Sequence, residues 1–162
     1  LLMLLDALEP TGITTLVLDQ NNLIPSLGAA AEVNAILAVQ VIESGALLNL
    51  GTVISPVGSA RPGTPVVRVK ITHESGEEQK IDVKQGSLET IPLPVGQAAR
   101  LHVQPLHRYD VGMGGPGRGG SLRVVGGALG VVIDARGRPL QLPNVPARRQ
   151  EMLKKWLWTL GG

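Results

Sequence analysis

Three textures of apolar and polar positions follow one another along the chain. Leu1–Leu8 is a short, almost wholly apolar run that reads as a helix stopping before Pro10-Thr11-Gly12. Ile13–Leu18 contains no polar residue except two Thr, the pattern of a strand buried on both faces, as in a parallel sheet. Asp19-Gln20-Asn21-Asn22 then turns the chain, and a single helix is predicted from Ile24 to about Gly45. Pro25 suits its first turn and Gly45 its end. Residues 1–45 thus read as a short α/β segment.

After Gly45 the period changes to two. Residues 46–57 predict a strand or two, and Arg61-Pro62-Gly63-Thr64-Pro65 predicts a turn. Val66–Thr72 and Lys80–Lys84 alternate apolar and polar around a Gly76 turn, a half-buried hairpin. Further strands are predicted at Leu88–Leu93, Ala99–Leu106, Leu122–Val125, Leu129–Ile133 and Pro139–Leu142. Asp134-Ala135-Arg136-Gly137 reads as a hairpin turn, with Asp accepting backbone N–H groups and Gly137 left-handed. Six to eight short strands with frequent turns suggest a small barrel or sandwich, and short, Gly-punctuated strands that must hide their edges favour the compact barrel. Met152, Leu153, Trp156, Leu157 and Leu160 then fall at helical spacing, with Arg148, Arg149, Lys154 and Lys155 largely on the other side. The expected fold is therefore α+β: an α/β segment over 1–45, then a mostly antiparallel, β-barrel-like domain over 46–162 that ends in a helix.

Charge sharpens this division. Residues 1–60 hold five acids and no Lys or Arg, whereas 61–162 hold all 15 basic residues and eight acids. The basic residues form no block of like charge. The favoured explanation is that the first sixty residues are covered by other parts of a larger protein and need few solubilising charges; the alternative is that the basic part faces an acidic partner or a phosphate ligand. The opening residues start in mid-pattern, without Met, so the chain is expected to be a piece of a longer one. It shows no basic n-region or cleavage site, and a cytoplasmic location is expected. The longest apolar stretch, residues 23–50, is broken by Glu32, Asn34 and Glu43, so no membrane span is predicted. The only aromatic residues are Tyr109, Trp156 and Trp158, too few for a base-stacking platform, and no nucleic-acid partner is expected. The absence of Cys excludes thiol nucleophiles and Cys-ligated metals.

Candidate chemistry is sparse. The run from Gly112 to Gly120 satisfies GxGxxG at Gly112, Gly114 and Gly117, but a strand follows it rather than a helix N-terminus. The dinucleotide-binding reading fails on that order. A backbone nest of Gly112, Gly114, Gly115, Gly117 and Gly119, with Arg118 and Arg123, remains a candidate anion (phosphate) site. The bland reading is a flexible surface loop, or glycines placed where chains cross closely. His102, His107 and Asp110 lack the spacing of a helical metal site, so ordinary exposed histidines and no metal are expected. No serine lies in a Gly-x-Ser-x-Gly elbow, and no catalytic residue is assigned. Trp156 and Trp158 cannot share a helix face, so one is expected to pack inward. Arg148, Arg149, Trp156 and Trp158 form a candidate partner-docking helix.

Two segments carry a resemblance. Leu16-Val17-Leu18-Asp19 with Pro25-Ser26-Leu27-Gly28-Ala29-Ala30-Ala31 resembles the closing strand and helix of the actin-like ATPase superfamily. Residues 125–140, Val-Gly-Gly-Ala-Leu-Gly-Val-Val-Ile-Asp-Ala-Arg-Gly-Arg-Pro-Leu, followed by a basic segment and Trp-Leu-Trp, complete it. Together they resemble the C-terminal region of glutamate mutase accessory proteins of the GlmL ("glutamate mutase L") type. The resemblance implies an actin-like ATPase core upstream, with ATP bound there, and association with a cobalamin-dependent mutase. The Asp-x-Gly-x-Thr phosphate loops are absent. Asn49-Leu50-Gly51-Thr52 keeps the spacing loosely with Asn for Asp, so no ATP-binding residue is carried over and no cofactor is expected in this stretch. The expected function is a non-catalytic binding or interaction module, with a small-ligand or anion site at 112–123 as one alternative. The other is an enzyme fragment whose catalytic residues lie elsewhere.

Overall fold

The computed structural model describes residues 1–160. Four helices and eight strands follow in the order α1 (Leu2–Leu8), β1 (Gly12–Leu18), α2 (Leu23–Val33), α3 (Ala35–Glu43), β2 (Leu48–Ser55), β3 (Pro65–His73), β4 (Glu78–Lys84), β5 (Leu88–Ile91), β6 (Ala98–Pro105), β7 (Gly120–Val125), β8 (Gly130–Asp134) and α4 (Pro146–Thr159). The fold is α+β. The strands form two open four-stranded sheets, ordered β1-β2-β8-β5 and β4-β3-β6-β7. The second is antiparallel throughout, whereas the first contains one parallel pair, β2 with β8. No closed barrel forms among the described residues. The sheets instead stack face to face, which covers an apolar face of each and leaves β1, β5, β4 and β7 as edge strands.

Alternation explains the stacking. From β8, Val131 and Ile133 enter the core between the sheets, joining Val67, Val69, Ile71, Leu101 and Val103 of the other sheet. Val132, between them, points the opposite way. There it meets Leu5 of α1, Leu16 of β1 and Trp156 of α4. The first sheet is thus the middle layer, with the second sheet on one face and α1 and α4 on the other. This is why β8 is buried along its whole length and reads as a continuous apolar run.

Four sequence expectations change. Ile13–Leu18 is an antiparallel edge strand rather than a parallel inner one, and Val17 and Leu18 are exposed. The expected helix from 24 to 45 breaks at Asn34, whose backbone leaves helical geometry (φ −148°, ψ 89°) and whose side chain caps α3 by accepting the Leu37 N–H. Residues 139–142 form no strand. The boundary near 45 does not separate two independently packed units, because β1 pairs with β2 from Gly12↔Ser55 to Leu18↔Leu48.

What does stand apart is α2–α3. Asp19 nucleates it, its two carboxylate oxygens accepting the Leu23 and Ile24 N–H groups at 2.8 Å each. Those bonds hold the Asp19 carboxyl below its ordinary range. The two helices pack principally on each other. α2 has no buried residue and α3 has only Ala38. Val33 is 91% exposed and Ile36 70%, with Ile24, Val39 and Ile42 about half exposed. No helix among the described residues is long and apolar enough to cross a membrane.

Candidate functional site

The most elaborate polar arrangement lies where β8 ends. Asp134 is the last residue of that strand, and its side chain is fully buried. Its Oδ1 accepts the Arg136 backbone N–H at 3.1 Å and Gly137 is left-handed at φ 96°, as expected of the turn, although no strand follows at 139–142 to make it a hairpin. Beyond the turn, the same carboxylate takes a two-pronged bond from Arg136, Nε and Nη2 both at 2.9 Å. Arg138 Nη2 also donates to Asp134 Oδ2. Asp6 of α1 supplies a second acid, 2.8 Å from Arg136 Nη2. Arg138 Nη2 reaches the Leu5 carbonyl at 3.4 Å. The cluster therefore holds two guanidiniums and two carboxylates, and it ties α1 to the end of β8. Burial opposes the charge on Arg136, but the bonds to Asp134 and Asp6 outweigh it and raise its pKa.

Trp156 roofs this cluster. Its Nε1–H donates to the Gly86 carbonyl at 2.9 Å, and the Arg136 guanidinium carbon lies 4.9 Å from its ring centre. Beside it opens a groove of about 900 Å³. Its walls come from the 58–63 loop, the β4–β5 turn, the 136–139 loop and α4. Arg136, Arg138, Lys84 and Lys155 lie on these walls with Glu89 and Asp82. Asp82 is committed to Arg68, which donates to it from Nε at 2.6 Å and Nη2 at 2.7 Å. No serine, histidine and acid stand together here as a nucleophilic triad would require.

The residues singled out from sequence are distributed as follows. The 112–119 segment is a loop that meets β1 at Gly112 and the end of β6 at Gly119, and neither of the two described grooves is lined by it. Gly112 (φ 78°) lies so close to Gly12 that an added Cβ would sit 3.2 Å from that residue's Cα. Close crossing thus accounts for this glycine. Arg118 is exposed before β7, whereas Arg123 stands near the far end of that strand, 4.0 Å from Glu74. Arg118 lies against Gly114, its Cδ 3.6 Å from where an added Cβ would sit, whereas Arg123 is directed to Glu74. His102 Nδ1 lies 3.0 Å from Ser121 Oγ, and Asp110 accepts the Gly112 N–H at 2.7 Å. No group of three metal-ligating side chains of the His, Cys, Asp or Glu type occurs among the described residues.

Asn49 and Thr52 lie on β2. The Asn49 amide donates to the Val125 carbonyl at 2.9 Å, and Thr52 is buried, so both are absorbed into the sandwich. On α4 the docking expectation needs a correction: Trp156 is 2% exposed and packs inward, so it offers nothing to a partner. Arg148, Arg149 and Trp158 face outward, Trp158 being 76% exposed.

Sequence reasoning missed Asp134, Arg136 and Arg138 as a cluster. The available signal was Asp-x-Arg-x-Arg directly after a fully apolar strand, which places the acid at the edge of the core. The chain matches no family model, no curated protein and no solved structure.

Proposed function

We propose that this chain is a non-catalytic interaction module, of the kind its resemblance to glutamate mutase accessory proteins implies. The observation that carries the reading is the uncovered apolar surface of α2–α3. Folded chains rarely leave several large aliphatic side chains exposed side by side unless something binds them. β1, next to this hairpin in the chain, adds a second feature. It is a sheet edge with no charged residue and no proline, the devices that ordinarily guard an edge. β4, at an edge of the other sheet, is by contrast charged through Glu78, Lys80, Asp82 and Lys84.

The partner surface that fits is apolar with a basic rim, because α2–α3 carries Glu32 and Glu43 and no Lys or Arg. By the resemblance, that surface belongs to a cobalamin-dependent mutase or to an actin-like ATPase domain of the parent polypeptide. ATP would bind in that domain and not here. The test is association of the chain with such a mutase, read by light scattering after gel filtration. Wild type is expected to co-elute with it. Val33→Glu and Ile36→Glu, both at exposed positions, are expected to abolish co-elution while leaving the unfolding midpoint unchanged. Co-elution that survives both substitutions contradicts the reading.

A further inference from the structure

We infer that the groove beside Trp156 is a binding site for a small organic oxyanion, a carboxylate or phosphoryl group on a compact body. The inference is independent of the α2–α3 surface and lies away from the glycine loop. It rests on two unmade hydrogen bonds. Among the described residues, three buried side-chain polar atoms have no partner, and two of them are Arg136 Nη1 and Arg138 Nε. Both belong to guanidiniums almost sealed from solvent, with side chains 0% and 6% exposed. Both residues line the same groove. Buried N–H groups are nearly always satisfied, and those left over call for a bound acceptor. An arginine N–H donates and never accepts, so the acceptor is an oxygen-rich group.

Charge points the same way. Asp134 and Asp6 balance Arg136 and Arg138, and Asp82 is taken by Arg68. Of the other charged groups in the lining, Lys84, Lys155 and Glu89 make no ion pair among the described residues. The groove therefore keeps one uncompensated positive charge, which a monoanion neutralises. Met152, Pro62 and Pro139, which line the groove and are not buried, supply apolar surface for the body that carries it.

The test titrates the chain with phenyl phosphate and, separately, with benzoate, and follows the arginine Nε–H signals by NMR. The Arg138 signal is identified by its loss in Arg138→Lys. Saturable movement of that signal is expected, while the Arg68 signal, already bonded to Asp82, stays put. The tighter of the two ligands distinguishes a phosphoryl from a carboxylate site. Lys155→Gln is expected to weaken binding roughly tenfold, the loss of one charge-assisted contact, and Arg118→Ala to leave it unchanged. An Arg138 signal that moves with neither ligand overturns the inference. So does binding that ignores Lys155→Gln or is lost in Arg118→Ala.

Discussion

Replacing Asp134 by Asn removes one charge and keeps the shape, so it isolates what the buried carboxylate does. In the native fold that side chain accepts from Arg136 Nε, Arg136 Nη2, Arg138 Nη2 and the Arg136 backbone N–H. Asparagine accepts through one oxygen, and its amide turns two donors toward guanidiniums that are themselves donors. Removing one member of a buried ion pair costs about 3–5 kcal/mol, because the remaining charge stays buried without compensation. Asp134→Asn is placed near the lower end, about 3 kcal/mol, since Asp6 still serves Arg136. Asp6 is the internal control. Its side chain is 39% exposed and water replaces it, so Asp6→Asn should cost about 0–1 kcal/mol. The assay is urea unfolding followed by tryptophan fluorescence in a Trp158→Phe background, which leaves buried Trp156 as sole reporter. Against a total stability of about 5–15 kcal/mol for a domain, Asp134→Asn remains folded but visibly weakened. Equal costs for the two substitutions, or a cost below about 1 kcal/mol for Asp134→Asn, would refute the reasoning.

Three further outcomes follow from the same geometry. Trp156→Phe keeps most of the packing and loses the bond to the Gly86 carbonyl, so it should cost about 1–2 kcal/mol by urea unfolding, against about 3–5 for Trp156→Ala. Gly130→Ala should destabilise the β5–β8 junction, because φ there is 63° and the added Cβ would meet the Ile91 carbonyl oxygen at 2.5 Å; a thermal midpoint equal to wild type would contradict the close packing. Acid should weaken the second sheet: the hydrogen bond from Arg68 holds Asp82, and that from Lys70 holds Glu78, below their ordinary values of 3.8 and 4.5. Depressed carboxyl pKa values stabilise the fold above the ordinary values, and that stability is lost as pH falls through the folded ones. The urea midpoint should therefore decline below about pH 4.5, and more gently in Arg68→Gln or at high salt, since these pairs are exposed. A pH profile that Arg68→Gln leaves unchanged would refute this.

Local chemistry was legible in the sequence, and long-range pairing was not. Period two located the 66–72 and 80–84 hairpin and the strand read at 99–106, which runs from Ala98 to Pro105, since alternation needs only a half-buried sheet. The same rule could not say that β2 lies parallel to β8, Gly51 beside Gly130, across nearly eighty residues. That pairing makes two stacked sheets instead of a closed barrel. Ile13–Leu18 misled for a related reason. Its apolar side chains suggest two covered faces, yet it is an edge strand whose Val17 and Leu18 are open. The break at Asn34 was available in principle, because Asn before an apolar run is a cap signal, but the surrounding hydrophobic residues masked it. Spacing established that Trp156 and Trp158 face apart, and only packing could tell which is inside. The turn chemistry of Asp134 and Gly137 was readable, whereas its burial against α1 and α4 depends on residues more than a hundred positions away in one case.

Hydrogen exchange, measured on the chain alone and mixed with a cobalamin-dependent mutase, addresses the proposed docking surface most directly. Short apolar helices with no covering layer should open easily. The account predicts that α2 and α3 amides exchange long before those of β8 in the isolated chain. They should slow together with β1 when the mutase is added, while β3, β4, β6 and β7 stay as they were. Protection of α2–α3 equal to that of β8 without any partner, or no change on mixing, would contradict it.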